Sequence, residues 1–520
     1  MTLHSRLKRH EHPGSSGPTA RFAIDTITGL RQKVLTAAWW LVPSLFALYL
    51  YWDGIFAWFQ QDDFVWLSLL NRVHNFRELL IELFRPTDHG TWRPLPERAY
   101  FMSLQSLFGY NAFPYRLLSF LTQCANLALV ASITRRLSGS RLAGLLAAVF
   151  WIASSKLIVV MSWSSEYILV ACGFFLLLAF YFFLRHAESG ERRYLLYCWL
   201  TFLAGFLAME TNLVFPLLAA SYAFFCARPL FRKSLAFFIP SALYTIVHIA
   251  VANQHPRGVY TMHLDLSIVR TLIAYSSMAF VPEELGAFTH FPVWAGPAGA
   301  AVFGVALGGF VVWRAFRRDW IPTLMLAWFV FLLAPVLPLR DHVTPYYLTL
   351  PMIPLSMLGA YAVDAAWRAR PLTPSSIGMR VLATGLAAFY LLESAPVARG
   401  GTRWAADRSH EVERLARYIF REHRRSPEKV ILLRSIDSLL FWTGVAHYPF
   451  RDTEGASYVY LMSDAAPLIE PHPETGFRVS DFVYPADKIR WSLVHNRAIV
   501  IDVSRAGLFD ITAQFRPATP

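Results

Sequence analysis

The chain has 520 residues, of which 55% are hydrophobic and only 16% charged, and its mean hydropathy is +0.38. A soluble domain carries about 25% charged residues, so this composition excludes a protein that is mostly a water-facing globule. The formal net charge of +13 suggests nucleic-acid binding at first sight, but much of the excess lies in short loops between apolar segments. That distribution is typical of inner-membrane proteins, and we expect no nucleic-acid partner.

The apolar segments predict about eleven membrane-spanning helices. Each is roughly 17–22 residues long, which is enough to cross a hydrocarbon core about 30 Å thick. Loops rich in arginine, such as the one with Arg135 and Arg136, all fall on one side. By the positive-inside rule that side is the cytoplasm, so the N-terminus lies inside and the C-terminus outside. The predicted spans are residues 34–52, 114–134, 141–159, 164–184, 194–210, 211–227, 234–251, 293–313, 320–339, 345–366 and 377–396.

Three apolar stretches are not clean spans. Residues 266–283 would place the arginines of the 313–320 loop outside if they crossed the membrane. We therefore expect a re-entrant or surface-lying amphipathic helix there, on the outer face. Residues 64–84 and 95–110 also alternate apolar and polar residues at helical spacing.

The character of the chain changes after about residue 397, where charged residues return. Short apolar runs at residues 430–433, 458–462 and 498–503 predict strands, and residues 407–423 predict a helix. The fold class is therefore an all-α polytopic membrane bundle with a C-terminal soluble α/β domain. We predict a basic cytoplasmic tail over residues 1–33, a transmembrane domain over 34–396 with a large first outer loop (53–113), and an extracytoplasmic domain over 397–520.

The first outer loop begins with two adjacent carboxylates, Asp62 and Asp63, among aromatic residues expected at the membrane interface. Desolvation and mutual repulsion raise the pKa of one member of such a pair, which suits a base that takes a proton from a hydroxyl. The pair also suits a hard divalent cation. An ordinary solvated Asp-Asp turn has the same spacing, so all three interpretations stay open.

The same loop carries Arg93 within residues 89–96 (HGTWRPLP). Its planar, permanently charged guanidinium suits phosphate oxygens. An interfacial arginine that meets lipid headgroups is the alternative. His89 fits a surface histidine better than a ligand.

Two further acids lie at the predicted outer ends of spans. Glu166 lies between the third and fourth spans, with Lys156 ten residues earlier, and Glu210 lies in the short turn between the fifth and sixth. An acid at membrane depth is costly and usually faces a cavity. Capping of the following helix is the alternative for both.

The late outer loop carries Arg340, Asp341 and His342, followed by Tyr346 and Tyr347. This segment suits an anionic headgroup; alternatively, the arginine and aspartate pair with each other to hold the loop. All these charged candidates fall on the outer side of the bundle. Randomly scattered solvated charges would not collect there.

Together these motifs resemble the GT-C superfamily of membrane glycosyltransferases, and within it the bacterial group related to protein O-mannosyltransferases, aminoarabinose transferases and rhizobial lipopolysaccharide core transferases. The resemblance covers roughly residues 34–366. Residues 210–216 and 338–351 match in position. The matching motifs are Asp62-Asp63 after the first span, Trp92-Arg93-Pro94-Leu95 in the first outer loop and Ser165-Glu166 in the second.

The resemblance implies a hexosyl or pentosyl glycosyltransferase that uses a polyprenyl-phosphate-linked sugar at the outer face of a bacterial inner membrane. A hydroxyl or similar group of a lipid, glycan or protein acceptor would attack the anomeric carbon. One of Asp62 and Asp63 would be the base. Glu166 would orient the acceptor or, with Asp63, hold Mg²⁺ or Mn²⁺. Four residues would bind substrate by neutralising the leaving phosphate, namely Arg93, Lys156, Arg340 and His342. Two further residues would also bind substrate, namely Glu210 and Tyr346.

Two positions depart from the family's pattern. Relatives often carry a lysine where this chain has Met209, and an Arg-Tyr pair where it reads Thr344-Pro345-Tyr346. The loss of two cations weakens the phosphate assignment unless Arg340 or His342 substitutes. A transporter or flippase for a lipid-linked glycan is the alternative from another class, although we find no internal repeat in the sequence. A scaffold whose C-terminal domain binds a partner is the third.

Overall fold

The computed structural model of the chain is mostly helical, with one small sheet near the C-terminus. The predicted tail (1–33) and His89 lie outside the described residues. The residues that the structure describes are 39–86, 91–251, 258–280, 288–289, 291–292, 294–371, 373–446, 458–472, 477–504 and 507–515.

A helix lies at each of the predicted spans. The helices up to the middle of the chain are α1 (residues 39–55), α2 (Asp63–Leu67), α3 (Phe76–Phe84), α4 (Tyr100–Phe108), α5 (Phe113–Ser138), α6 (Arg141–Ala153), α7 (Ile158–Ser162), α8 (Tyr167–Ser189), α9 (Arg192–Gly205), α10 (Phe215–Cys226), α11 (Phe231–Ser234) and α12 (Phe238–Val251). Those that follow, before the sheet, are α13 (Ser267–Phe280), α14 (Ala295–Phe316), α15 (Ile321–Leu333), α16 (Met352–Arg368) and α17 (Pro374–Arg425).

Within the described residues, five helices are long and apolar enough to cross a membrane, or six if the bent pair of α6 and the segment Ser155–Ser162 is one span. Shorter apolar helices, including Ile321–Leu333, lie at other predicted spans. The chain is thus a multi-pass membrane protein. The larger number of eleven spans remains a prediction, because several helices at those places are shorter than a full crossing.

Capping residues account for where several helices end. Gly139 has a φ of 68° directly after α5, and glycine adopts this left-handed conformation without steric cost. Ser140 then accepts a hydrogen bond from the Ala143 amide and starts α6. Helices α5 and α6 therefore form a tight pair, with Arg135 and Arg136 in the last turn of α5.

The three ambiguous stretches contain short helices. Residues 267–280 form α13, which at 14 residues is not among the candidate spans. Residues 281–283 of that stretch lie outside the described residues. Helices α2, α3 and α4 occupy the other two stretches, and they too are short.

A small mixed sheet follows α17. Its strands are β1 (Val430–Arg434), β2 (Val459–Leu461), β3 (Ala498–Ser504) and β4 (Gly507–Asp510). The order is β2-β1-β3-β4, with β1 parallel to both β2 and β3, and β4 antiparallel to β3. The three predicted strands are confirmed, and β4 was not predicted. Helices α18 (Ser438–Gly444) and α19 (Ala486–Val494) connect the strands.

Helix α17 joins the two parts of the chain without a break. It begins with a capping box between Thr373 and Ser376 and ends with His423, Arg424 and Arg425 in its last turn. Residues 407–423 are helical as predicted. The predicted domain boundary at residue 397 falls inside this helix, so the C-terminal part continues directly from a membrane helix.

Candidate active site

The two adjacent aspartates occupy different environments. Asp63 is fully buried, whereas Asp62 is only partly buried and precedes α2. The Asp63 Oδ1 accepts hydrogen bonds from the Ser165 amide at 2.7 Å and from the Ser165 Oγ at 2.6 Å. Its Oδ2 accepts one from the Gln60 amide at 3.1 Å. Asp63 therefore ties the first outer loop to the loop between α7 and α8.

Burial is the largest influence on Asp63 and raises its pKa to about 7. The hydrogen bonds from Ser165 and Gln60 and the positive charge of Arg116 act in the opposite direction, because they stabilise the ionised form. Arg116 is buried too, and its Nε donates to the Gly54 carbonyl at 2.9 Å. Asp63 thus changes charge near neutral pH, and burial rather than repulsion by Asp62 is the main cause.

Glu166 lies just before α8 and is 7% exposed. Its side chain makes no capping hydrogen bond with α8, so helix capping is not its role. Its Oε2 is buried and has no hydrogen-bond partner among the described residues. Burial raises the pKa of Glu166 to about 8, partly opposed by Arg93 and assisted by nearby acids including Asp62 and Asp63. At neutral pH this carboxyl is therefore mostly protonated.

Arg93 forms a clamp between two other carboxylates. Its Nε donates to both oxygens of Glu210, at 3.2 and 3.0 Å, and its Nη1 donates to the Glu97 Oε1 at 3.0 Å. The Nη2 is 3.0 Å from the Glu210 Oε2. Three of its five N–H groups are thus engaged by these acids. Its charge also acts on Glu166, so the clamp borders the same space as the aspartates.

Local sequence explains how the clamp forms. The residue before a proline is disfavoured in the α-helical conformation, and Arg93 before Pro94 lies outside it, with φ −133° and ψ 67°. On the other side, the buried Asn212 donates to the Phe202 carbonyl at 2.8 Å. A Cβ on Gly205 would lie 2.4 Å from the Asn212 Oδ1. A larger residue at position 205 would therefore displace the Asn212 side chain, which lies two residues after Glu210.

The candidates of the late outer loop make contacts in two different places. The Arg340 Nη1 is 3.4 Å from the Asp265 Oδ2, and its Nε is 3.7 Å from Asp341. Arg340 thus pairs with Asp265 and, at a longer distance, with Asp341, which was the partner in the alternative interpretation. The His342 Nε2 is 3.1 Å from the Tyr346 hydroxyl, and Tyr346 is close enough to Glu166 to be influenced by its charge. His342 and Tyr346 therefore lie beside the carboxyl groups of Asp62, Asp63 and Glu166, which are called the carboxylate cluster below.

Lys156 faces a different carboxylate. It lies in the turn Ser155–Leu157 between α6 and α7 and is buried. Its charge acts on Glu393 of α17 and is not among the main influences on Asp63 or Glu166. Glu393 is fully buried, and neither of its carboxylate oxygens has a hydrogen-bond partner among the described residues. The charge of Lys156 therefore acts on a buried acid of the bundle without a direct hydrogen bond to it.

This arrangement predicts a measurable coupling. Replacing Lys156 by methionine should lower the free energy of unfolding by about 1 kcal/mol, because the charges of Lys156 and Glu393 attract each other without a direct hydrogen bond. Adding Glu393→Gln should restore most of the loss. Thermal unfolding of both single variants and the double variant in detergent gives the coupling. Additive effects in this cycle would show that the two side chains do not interact.

The carboxylate cluster is poorly suited to a metal ion held by Asp63 and Glu166. Both Asp63 oxygens already accept hydrogen bonds from Ser165 and Gln60. In the part of the chain that the structure describes, no three acidic, histidine or cysteine side chains are placed to hold a metal ion. We derive no step through a metal.

Two site residues were not predicted from the sequence. Glu97 follows Arg93 by four residues, the spacing that brings side chains together on one helical face, so this signal was available. Arg116 lies in α5, close to the start of a predicted span. A charged residue inside a membrane-spanning segment usually faces the bundle interior, and Arg116 lies within the predicted span 114–134, so this rule would have pointed to it.

The family model described as "Dolichyl-phosphate-mannose-protein mannosyltransferase" matches residues 93–253. This segment is less than half of the chain. It contains Arg93, Glu97, Lys156, Glu166 and Glu210 but not the aspartate pair. No curated protein sequence matches the chain.

Several solved structures are similar at low identity. ArnT from Cupriavidus metallidurans bound to undecaprenyl phosphate is 12% identical, with a TM-score of 0.41 over 90% of this chain and 94% of that chain. The oligosaccharyltransferase AglB from Archaeoglobus fulgidus, in complex with an inhibitory peptide and a dolichol-phosphate, is 12% identical, with a TM-score of 0.46. That match covers 82% of this chain and 64% of AglB. No residue role follows from likeness at this level.

The matched family model confirms, over residues 93–253, the predicted resemblance of this chain to the GT-C superfamily of membrane glycosyltransferases.

Proposed function

We propose that this protein is a glycosyltransferase that moves a hexose or pentose from a polyprenyl-phosphate-linked donor to a lipid, glycan or protein acceptor. The reaction takes place at the outer face of the bacterial inner membrane, with the N-terminus in the cytoplasm and the C-terminal part outside. The observation that carries the proposal is the meeting of Asp62, Asp63, Glu166 and Arg93 from separate segments of the chain. Buried charges of both signs around one space suit acid–base chemistry on an anionic substrate.

Asp62 is the proposed base. It is less buried than Asp63, and its charge acts on both Glu166 and Tyr260. Asp63 is engaged by three donated hydrogen bonds and therefore acts as the anchor of the turn. The acceptor hydroxyl gives its proton to Asp62 as its oxygen attacks the anomeric carbon, and the bond from that carbon to the phosphate breaks.

The leaving phosphate needs hydrogen-bond donors or positive charge. Arg93 retains two N–H groups beyond those that bind Glu97 and Glu210. Protonated Glu166 supplies a further donor next to it, because its Oε2 is not used by the described part of the protein. A neutral Glu166 also removes one negative charge that would repel the phosphate.

The proposed roles of Asp63 and Glu166 predict a bell-shaped pH dependence of kcat/KM. Activity should fall below about pH 7, because protonation of Asp63 weakens the hydrogen bonds that its carboxylate accepts from Ser165 and Gln60. It should fall again above about pH 8, because ionisation of Glu166 places a negative charge beside the phosphate. Glu166→Gln should abolish the alkaline limb only. A profile without limbs between pH 6 and 9 would contradict both roles.

Transfer by the purified full-length protein in lipid nanodiscs tests the proposal. The substrates are polyprenyl-phosphate-linked hexoses and pentoses, with envelope glycolipids and glycoproteins as acceptors. The proposal predicts release of polyprenyl phosphate and a mass gain of one sugar on an acceptor. Movement of the donor between leaflets without its consumption would indicate a flippase instead.

A further inference from the structure

The C-terminal part of the chain contacts the segment that holds the aspartate pair. The Trp58 amide donates to the Ser409 Oγ at 2.8 Å, and both residues are buried. The Gln61 amide donates to the Thr443 carbonyl at 3.0 Å. Ser409 belongs to α17 and Thr443 to α18. Two main-chain groups on the N-terminal side of Asp62 are therefore held by residues more than 340 positions later in the chain.

A shared hydrophobic core supports these hydrogen bonds. Trp58, Phe59 and Phe64 pack in the same buried cluster as Leu415 of α17 and Phe441 of α18. The strands β1 and β3 contribute to this cluster as well. The α18 helix also lies close to α17, since a Cβ on Gly444 would be 3.2 Å from a methyl group of Val412. The sheet domain and the first outer loop therefore fold as one unit rather than as two bodies in loose contact.

The backbone at Gln61 shows where this support is needed. Gln61 has a φ of 49°, a left-handed conformation that is unfavourable for a residue other than glycine. Such a conformation persists when its surroundings hold it in place. Here the Thr443 carbonyl holds the Gln61 amide on one side, and the Trp163 indole donates to the Gln60 carbonyl at 3.1 Å on the other. The next residues in the chain are Asp62 and Asp63.

We infer that Ser409 and the main chain of Thr443 are positioning elements of the active site, which fix the turn at residues 58–63 so that Asp62 and Asp63 keep their places relative to Glu166. This inference rests on the proposed function for its catalytic meaning. By this inference the C-terminal part of the chain has a role within the site. It does not cover the site as a detachable lid, and it does more than stabilise the fold in general.

The test compares Ser409→Ala with Ser492→Ala in the full-length protein. Ser492 is similarly buried in the C-terminal domain and contacts Tyr484, away from the turn. Ser409→Ala leaves the buried Trp58 amide without its acceptor and should lower kcat about 10- to 100-fold, with KM for the donor within about twofold. The acid limb of the pH profile should move to lower pH, because a looser turn hydrates Asp63 and lowers its pKa. Ser492→Ala should change neither kcat nor the position of the acid limb.

Hydrogen–deuterium exchange gives a readout that does not depend on transfer. Amides of residues 58–64 should exchange faster in Ser409→Ala than in the wild type, and at the wild-type rate in Ser492→Ala. Unchanged exchange and unchanged kcat in Ser409→Ala would overturn the inference. Equal losses in both variants, in proportion to their thermal stability, would overturn it too, since they would show a purely structural role. If Ser409→Ala speeds exchange at residues 58–64 but the wild-type protein transfers no sugar, Ser409 still holds the turn and the proposed function is rejected.

Discussion

Replacing Asp62 by asparagine should lower the rate of sugar transfer about a thousandfold, because an amide cannot accept the proton of the attacking hydroxyl and general base catalysis contributes factors of this size. The stability of the protein should change less than in variants of the buried acids, since Asp62 is partly exposed. Transfer assays and thermal unfolding of the purified variant measure the two quantities.

Asp63→Asn is the matched comparison. In the wild type, the Gln60 amide donates to the Asp63 Oδ2. In the variant, the side-chain nitrogen of the asparagine would face this amide, and neither group can accept a hydrogen bond. This variant should therefore lose stability as well as activity, by about 1–3 kcal/mol. If Asp62→Asn keeps its activity while Asp63→Asn loses it at unchanged stability, the roles of base and anchor are reversed. If both variants transfer sugar normally, the acid–base mechanism is wrong.

Replacing Arg93 by glutamine should both destabilise the protein and abolish transfer. Glu97, which is buried, and Glu210, which is partly buried, would then lack their shared cation. Removing one partner of a buried ion pair costs about 3–5 kcal/mol, and the partial exposure of Glu210 places the expected loss at the lower end of this range. Thermal unfolding of the membrane-purified variant measures this loss.

The double variant Arg93→Gln with Glu210→Gln separates the two effects. It removes one of the unpaired charges, so thermal stability should recover by more than half. Transfer should not recover, because the guanidinium that faces the phosphate is still absent. Recovery of both quantities would mean that Arg93 serves only the fold.

The sequence predicted the candidates at the outer ends of the helices because apolar length and the sidedness of arginines locate those ends. It could not predict which acids share a cation. Arg93 pairs with Glu210 across more than a hundred residues, and this contact depends on the tight turn at Gly205 and Asn212. Lys156 was predicted to neutralise the leaving phosphate, and that role stays a prediction. Its charge acts on Glu393 of α17, a pairing across more than two hundred residues that the sequence pattern does not indicate.

The contact between the C-terminal domain and the first outer loop was also beyond prediction. The predicted strands and the helix at residues 407–423 are confirmed, yet their pattern is that of any small α/β domain. Ser409 is one serine in a charged helix, and Thr443 acts through its backbone carbonyl, which no side chain reveals. The continuous helix α17 brings Ser409 to the turn at residues 58–63, and α18, which packs against α17, brings Thr443 there.

Mass spectrometry of envelope glycolipids and glycoproteins tests the central claim most directly, in wild-type, deletion and Asp62→Asn strains. The proposed function predicts that one glycoconjugate loses a single sugar in both mutant strains, and the mass difference then identifies the class of sugar. A glycoconjugate that changes in the deletion strain but is complete in the Asp62→Asn strain would contradict catalysis by this site and favour transport or scaffolding.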